Sequence, residues 1–457
     1  MATFKVPPGT EPTEALVTKL VEKFEALCLP RFRKLEQYYR VQNKIRSRSL
    51  SAEKPNNKLA HGFAKYITNM ATGYFLGKGI RDEVTDTGYK AELDAALDQT
   101  ATNDTDFEIA KEMSKAGIAF EYLYHNEQAD VRYKWLKAVD VIPVYSYAVS
   151  EFLEFAVRIW TEEDIVTGKT ISFAEAITRE EIITYRKDRK VYKEVVEGRI
   201  KHEFDDVPLI VYWNNEEQKG DYEDVLDLID AYDKTQSDTA NDMEYFTDAY
   251  LVLIGAGGGI VKADGESGEL DGDALKTLKQ ERVLLLDEQG QAQWLIKQIN
   301  DTAVENFKER LYNDIFFLSQ VPALTDESFA GNLTGVAIKY KLIGLEQLAS
   351  IKQNKFLPAR RKKIRLITAQ INKRRSTTYD ASLVKTKFDR NAMDNLAELA
   401  EIVATLMPLA SKETLLALLP FIEDAAKERL KKLAEQKQED ALGTIEEDDI
   451  ERLGGGQ

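Results

Sequence analysis

Between Asp301 and Arg375 the pattern of apolar and polar positions changes twice. Val304, Phe307, Leu311, Ile315 and Leu318 recur at spacings of three and four, which places them on one helical face. Pro322 follows, and Ser319 to Gly335 (SQVPALTDESFAGNLTG) is dense in residues that favour turns over continued helix. A compact domain keeps so long an irregular stretch where it is functional or mobile. From Val336 to Asn372 the pattern predicts one long helix, opened by Thr334 as cap and kinked at Pro358. Its apolar residues do not keep to one stripe, so it is expected to be buried on several sides.

The rest of the chain reads in order around this stretch. Glu14 to Arg48 predicts helix, with Val17, Leu20, Val21, Phe24, Leu27 and Cys28 on one side. Asp106 to Gly117 predicts another. Runs rich in β-branched and aromatic residues predict strands at 119–125, 130–136, 138–144, 154–160, 170–173, 182–186, 190–196 and 199–204, closing with VPLIVYWNN. Glu83 to Asn214 therefore reads as one α+β domain. Asp221 to Gly255 predicts a second long helix, capped by Asp221 with Asp224 three residues on. Its ends are apolar, but its middle, DKTQSDTANDME, is polar on every face and made acidic by Asp233, Asp238, Asp242 and Glu244. Such a helix bridges through water, and its plain reading is an exposed surface helix. AGGGIVKADGESGELDGD is turn-dense, and Arg282 to Leu286 with Ala292 to Ile296 predicts a hairpin. After Arg375, TTYDASLVKTKFDRN predicts one strand returning to the α+β domain. Residues 394–407 and 413–433 predict amphipathic helices, the second capped by Ser411, and the acidic end from Glu435 is expected to be disordered.

Composition narrows the class. The chain has 457 residues, 43% hydrophobic, enough for about three domain-sized cores. A single cysteine, Cys28, excludes a disulfide framework and fits a reducing compartment. The start, MATFKVPPGTEPTEAL, lacks a basic segment followed by an apolar run, so no secretory signal is expected. The longest apolar stretch, Ala249 to Val261, is too short for a bilayer, which needs about 20 apolar residues. A formal net charge of -16 argues against a protein that grips nucleic acid over its whole surface.

Candidate chemistry is sparse. Gly255, Gly257, Gly258 and Gly259 lack the helix and the Gly-Lys-Ser/Thr of a nucleotide loop. Asp264, Glu266, Asp271 and Asp273 fail the spacing of an EF-hand and read as a solvated turn. His61, His125 and His202 lie far apart and form no metal-ligand pair in the sequence. No enzyme, metal or cofactor is expected. Two basic clusters remain. Arg31, Arg33, Lys34, Arg40, Lys44, Arg46 and Arg48 read as a solvated face, with nucleic-acid or partner contact the second reading. Lys352, Lys355, Arg360, Arg361, Lys362, Lys363, Arg365, Lys373, Arg374 and Arg375 run without an acid among them. They are expected either to meet DNA phosphates or to pair with acids of a neighbouring subunit.

The ordered set of a helix, FFLSQVPALTDESFAGNLTGVAIKYKL and a long helix resembles the portal protein family of long-tailed bacteriophages, in particular the group known from phages of Gram-positive bacteria. Pro322, Asp326, Phe329, Gly331, Asn332, Gly335 and Ala337 carry the likeness, and NNKLAHGFAKYITNMATGYFLGKGI and SKETLLALLPFIEDAAKERLKKLAEQ extend it. The resemblance implies a portal-type α+β fold: a wing at 1–220, a stem helix at 221–254, a clip at 255–299 and a second stem helix at 300–318. A tunnel loop at 319–335, a long kinked helix at 336–375, a strand returning to the wing at 376–392, a crown at 393–435 and a tail at 436–457 complete it. Pro322, Thr325, Asp326, Glu327, Ser328, Phe329 and Asn332 become tunnel-loop candidates, Lys339 and Lys341 basic channel candidates, and Asp233, Asp238, Asp242 and Glu244 an acidic stem wall. The implied protein is not an enzyme. It is a ring at one capsid vertex of the virion, assembled in the host cytoplasm, through which double-stranded DNA is packaged and ejected. Its implied partners are further copies of itself, the terminase large subunit, head-completion or tail adaptor proteins, and the major capsid and scaffolding proteins, with no membrane. Helices about 10 Å across around a duplex about 20 Å wide would number about twelve. The competing reading is a non-viral soluble oligomeric scaffold or nucleic-acid-processing protein that shares only the helical pattern.

Overall fold

A computed structural model describes residues 3–51, 55–98, 102–245, 250–254, 291–295, 301–324, 335–391, 396–416, 419, 422 and 427–436. The helices are α1 (Glu14–Leu27), α2 (Leu29–Tyr39), α3 (Phe63–Leu76), α4 (Thr87–Asp98), α5 (Thr102–Ala116), α6 (Leu226–Tyr245), α7 (Asp301–Ser319), α8 (Gly335–Lys341), α9 (Ile343–Arg375), α10 (Leu396–Leu406) and α11 (Lys412–Leu416), with a further helical stretch at 427–436. The strands are β1 (Phe4–Val6), β2 (Ile80–Glu83), β3 (Ile118–His125), β4 (Val131–Leu136), β5 (Val141–Ser146), β6 (Leu153–Asp164), β7 (Lys169–Ile177), β8 (Glu181–Asp188), β9 (Val191–Lys201), β10 (Leu209–Trp213), β11 (Tyr250–Ile254), β12 (Gln291–Leu295) and β13 (Lys385–Phe388). The chain is α+β, as the pattern predicts, and divides into two compact units. One comprises Met1–Val321 and Gln347–Asp389, the other Pro322–Glu346 and Arg390–Gln457.

The first unit is built on two sheets. Six strands run in the order β1-β5-β6-β7-β8-β9, antiparallel except where β1 lies parallel to β5, and three run β10-β3-β4. β1 went unforeseen because three residues are too few to show alternation. Helix α1 buries Val17, Leu20, Val21 and Phe24 in the core of the six-stranded sheet. It also shields the β9 edge, where the backbone amides of Tyr192 and Glu194 donate to Thr18 and Glu14 at 3.0 Å each. Edge strands need such cover to avoid unwanted pairing. A second core gathers Phe75, Tyr89, Leu93, Met113 and Tyr212 around Phe356, Ile364 and Ile367 of α9. At the joint from α5 to β3, Gly117 has φ +83° and its missing Cβ would lie 2.3 Å from the Gln218 carbonyl, so only glycine fits. The strand expected after Arg375 is β13, which pairs antiparallel with β2 in a two-stranded sheet of its own.

Several boundaries differ from the sequence pattern. The helix expected from Glu14 to Arg48 is broken at Cys28, with Pro30 in the first turn of α2, and ends at Tyr39. The second long helix is described as Leu226–Tyr245, and Tyr250–Ile254, expected as its end, instead pairs antiparallel with Gln291–Leu295. The described partner of Ala292 to Leu295 is therefore β11, while Arg282 to Leu286 lies outside the described residues. Asp221 does not cap α6; its carboxylate accepts from Ser114, Asn214 and Lys352 inside the fold. The helix expected from 336 to 372 is interrupted at Leu342, and Pro358 sits within α9. Thr334 lies outside the described residues. On α7 the buried stripe is Lys308, Leu311, Ile315 and Ser319, leaving Phe307 and Leu318 exposed. In the second unit Ser411 does cap α11, accepting from the Thr414 amide at 3.2 Å, but Leu419 and Ile422 are not helical, in a stretch that also contains Pro420.

Candidate functional site

The loop candidates divide sharply. Helix α7 ends at Ser319, and Gln320 turns the chain with φ +60°, so the stop comes before Pro322. Val321 is buried beside it. Thr325, Asp326, Glu327, Ser328, Phe329 and Asn332 lie outside the described residues, whereas Lys339 and Lys341 are exposed on α8.

The acidic stretch of α6 is not uniformly solvated. Asp233 is fully buried, and both its oxygens are engaged. One accepts from the His61 backbone at 2.9 Å and meets His61 Nδ1 at 2.7 Å; the other accepts from Asn43 at 2.5 Å. Beyond it, Ser237 Oγ accepts from the Leu59 amide, Asp238 pairs with Arg48 at 2.5 Å, and Asn241 and Glu244 accept from Asn57. The helix is polar on this face because Asn43, Arg48, Asn57, Leu59 and His61 meet it with backbone and side-chain donors that need acceptors. Asp233 is therefore an anchor and not a wall residue. Asp238 and Asp242 are half-buried, and Glu244 is exposed.

Most of the basic run on α9 pairs with acids of the same chain, a role that neither expectation named, while Arg361 is exposed and makes no ion pair among the described residues. Lys352, fully buried, reaches Asp221 at 2.7 Å and Asn214. Arg360 bonds Asp82 at 2.6 Å and Asp106 at 2.9 Å. Lys363 bonds Glu121 at 2.6 Å and lies 3.6 Å from the centre of the Tyr133 ring. Lys355 pairs with Glu216, Arg365 with Asp206, Lys373 with Asp205, Arg374 with Asp130 and Arg375 with Glu92. The buried set holds three carboxylates (Asp82, Asp106, Glu121) against two cations. The Tyr212 hydroxyl donates to Glu121 at 2.7 Å and the Thr386 hydroxyl to Asp82 at 2.6 Å, which spreads the excess negative charge.

Burial and pairing contest each ionisation here. Burial opposes the charge on Arg360, but Asp106 and Asp82 outweigh it and hold the guanidinium more firmly protonated than usual. For Lys352 burial wins over Asp221 and lowers the ammonium's pKa. Lys362 is lowered to about 8 by burial, against the pull of Asp206. Tyr212 is pushed well above its ordinary range, first by burial and then by Glu121.

The structure also joins two histidines that sequence spacing kept apart. His125 stacks on Phe204 with ring centroids 4.6 Å apart, and His202 lies 5.9 Å from the same ring. They line a hollow of about 770 Å³ between β3, β9 and the end of α9. His202 Nε2 faces the Thr178 carbonyl at 3.0 Å and so donates, while Nδ1 accepts from the Phe204 amide at 3.3 Å. That pattern fits a neutral ring, and burial lowers the pKa of both histidines. Among the described residues no group of three or more His, Cys, Asp and Glu side chains is placed to hold a metal ion, and no helix is long and apolar enough to cross a membrane.

The chain is similar in sequence to known proteins over nearly its whole length. The sequence profile described as "Phage portal protein, SPP1 Gp6-like" matches residues 22–442. A portal protein of Bacillus phage SPP1 is 23% identical over 448 residues, covering 92% of this chain and 85% of the relative. A portal protein of Clostridium phage phiCD119 is 22% identical over 429 residues, covering 87% and 88% respectively.

Proposed function

Because the chain belongs to the SPP1 Gp6-like family of phage portal proteins, we propose that it forms the ring at one capsid vertex through which DNA enters and leaves the head. The match across residues 22–442 carries this reading, since it runs through the stretches read as most of the wing, both stem helices, the clip, the loop and the crown together. In this reading α6 and α7 are the stem. They pack against each other, yet α7 keeps a second apolar face in water, with Phe307, Phe317 and Leu318 exposed by 48%, 80% and 57%. A neighbouring copy in a ring would cover such a face. β11 and β12 form the root of the clip, which docks the terminase motor during packaging and adaptor proteins afterwards. The wing meets capsid and scaffolding proteins. ATP hydrolysis belongs to the terminase, and this chain supplies the passage.

The passage keeps DNA moving by binding it weakly. Helix α6, with 20 residues, supplies a wall about 30 Å long. Acidic side chains in its last turn, Asp242 and Glu244, repel phosphates, while Lys339, Lys341 and the 319–335 loop make the transient contacts. Replacing Lys339 and Lys341 together by Glu tests the DNA path. Packaging in a complementation assay is expected to fall at least tenfold while rings still assemble; unchanged packaging removes both lysines from the path.

A further inference from the structure

β6 and β7 do not stop where the body of the sheet stops. Their ladder continues in register through Thr161↔Ser172, Glu162↔Ile171, Glu163↔Thr170 and Asp164↔Lys169, and residues 161–170 are all exposed. Four further pairs extend the arm by about 13 Å. A two-stranded ladder bare on both faces is marginal in water, yet this one is braced at both ends. At its root Trp160 stacks on Phe173 at 5.4 Å under the Arg158 guanidinium, and the indole N–H donates to Glu162 at 2.9 Å. At its tip Asp164 accepts from the Val166 amide at 2.9 Å and the Thr167 hydroxyl at 2.6 Å, and Gly168 closes the turn at φ +64°. What this fixed tip presents is Ile165 and Val166, each 94% exposed, flanked by Glu162, Glu163 and Asp164 against one Lys169. A turn whose only task was to reverse the chain would place polar residues there.

The same unit carries a complementary surface. Beside α2 opens a cleft of about 550 Å³ with Leu29, Phe32, Val139 and Ile159 in its lining. Within it Lys115 is taken up by Glu36 at 2.7 Å and Glu112 at 2.9 Å. Arg33 and Lys137 are exposed in the lining and, among the described residues, have no carboxylate within ion-pair distance. The remaining acids of the lining are Glu25 and Asp140, whose pKa burial raises against the pull of Lys137. One wall is Trp160, Thr161 and Ser172, the root of the subunit's own arm. The arm points away from its root and leaves its tip bare, so its own subunit does not fill the cleft.

We propose that in the assembled ring each subunit's β6–β7 arm enters the cleft beside α2 of the next subunit, seating Ile165 and Val166 on its apolar floor and Glu162 to Asp164 against Arg33 and Lys137. This rests on the ring reading above. A closed ring joins two different patches of one chain, head to tail, and here the arm's apolar, acidic tip and an apolar cleft that holds Arg33 and Lys137 outside its own ion pairs are such a pair. A neighbour's arm would then lie against the root of the next arm, so the contact repeats around the ring.

Cross-linking tests it on the full-length chain carrying Cys28→Ala, Arg33→Cys and Val166→Cys. Under mild oxidation, rings seen by native mass spectrometry should yield a ladder of covalent multimers beyond the dimer on a non-reducing gel, and neither single-cysteine chain should. The pair Ile165→Asp and Val166→Asp should raise the concentration for half-assembly at least tenfold. Rings that form without the ladder and tolerate the aspartates overturn the contact and leave the arm to a different partner, with the ring reading intact. Covalent dimers alone show a two-fold contact and also overturn it. Failure of the unaltered chain to form any ring overturns the portal reading and this contact together.

Discussion

Arg360 sits between Asp82 and Asp106 with almost none of its surface in water, and its removal leaves Asp82 with no cation and Asp106 with only Lys363 at 3.8 Å. Arg360→Met is expected to cost about 3–5 kcal/mol, read as a lowered urea midpoint with an unchanged slope. An effect below about 1 kcal/mol would show that the carboxylates find other partners or protons. The histidines give a pH dependence. Both have pKa values below the ordinary 6.5, so the unfolded chain binds more protons than the fold near that pH. The stability they contribute is complete above pH 6.5 and is lost as pH falls through the lowered values. Melting temperature should therefore drop from about pH 7.5 to about 5.5, and His125→Phe should flatten that drop by roughly half. An unchanged slope would clear His125 of the effect. In the sequence the basic run stands out because no acid interrupts it, but its partners do not: Asp82, Asp106 and Glu121 precede Arg360 and Lys363 by more than two hundred residues. Charge composition is a local property, whereas pairing follows the fold.

At the scale of elements, α6 shows how polar patterning is misread. A helix polar on all sides looks solvated, yet Asp233, Ser237 and Asn241 are buried acceptors for Asn43, Asn57, Leu59 and His61. Asp233→Ala leaves the His61 backbone N–H without an acceptor and the Asn43 amide with only the His61 carbonyl at 3.0 Å. It is expected to destabilise the unit by about 2–3 kcal/mol and to speed hydrogen exchange across residues 55–63. Unaltered exchange there would mean the segment is held by other contacts. Helix α7 was legible as a helix but not in its orientation. Leu311 and Ile315 are buried, but the stripe turns toward Lys308 and Ser319, because apolar residues surround most of this helix and periodicity alone cannot say which arc faces inward. The strands were readable where alternation was long enough. β9 was expected as two pieces, since a bulge around Glu197, at φ +61°, and Gly198 breaks the alternation midway.

For the whole molecule, α+β class and the strand β13 were open to pattern reading, whereas the family was visible only through an ordered set of residues around the 319–335 loop. Phe307, Phe317 and Leu318 are exposed in the subunit, and the proposed ring contact would cover them without leaving a trace in the subunit's own hydrogen bonds. The most direct measurement is the mass and symmetry of the purified protein, by native mass spectrometry with electron-microscopic class averages. A portal is expected as a closed ring of about twelve copies around a hole about 20 Å wide or more, large enough for duplex DNA. A stable closed dimer, with no larger ring at any protein concentration, would contradict the channel.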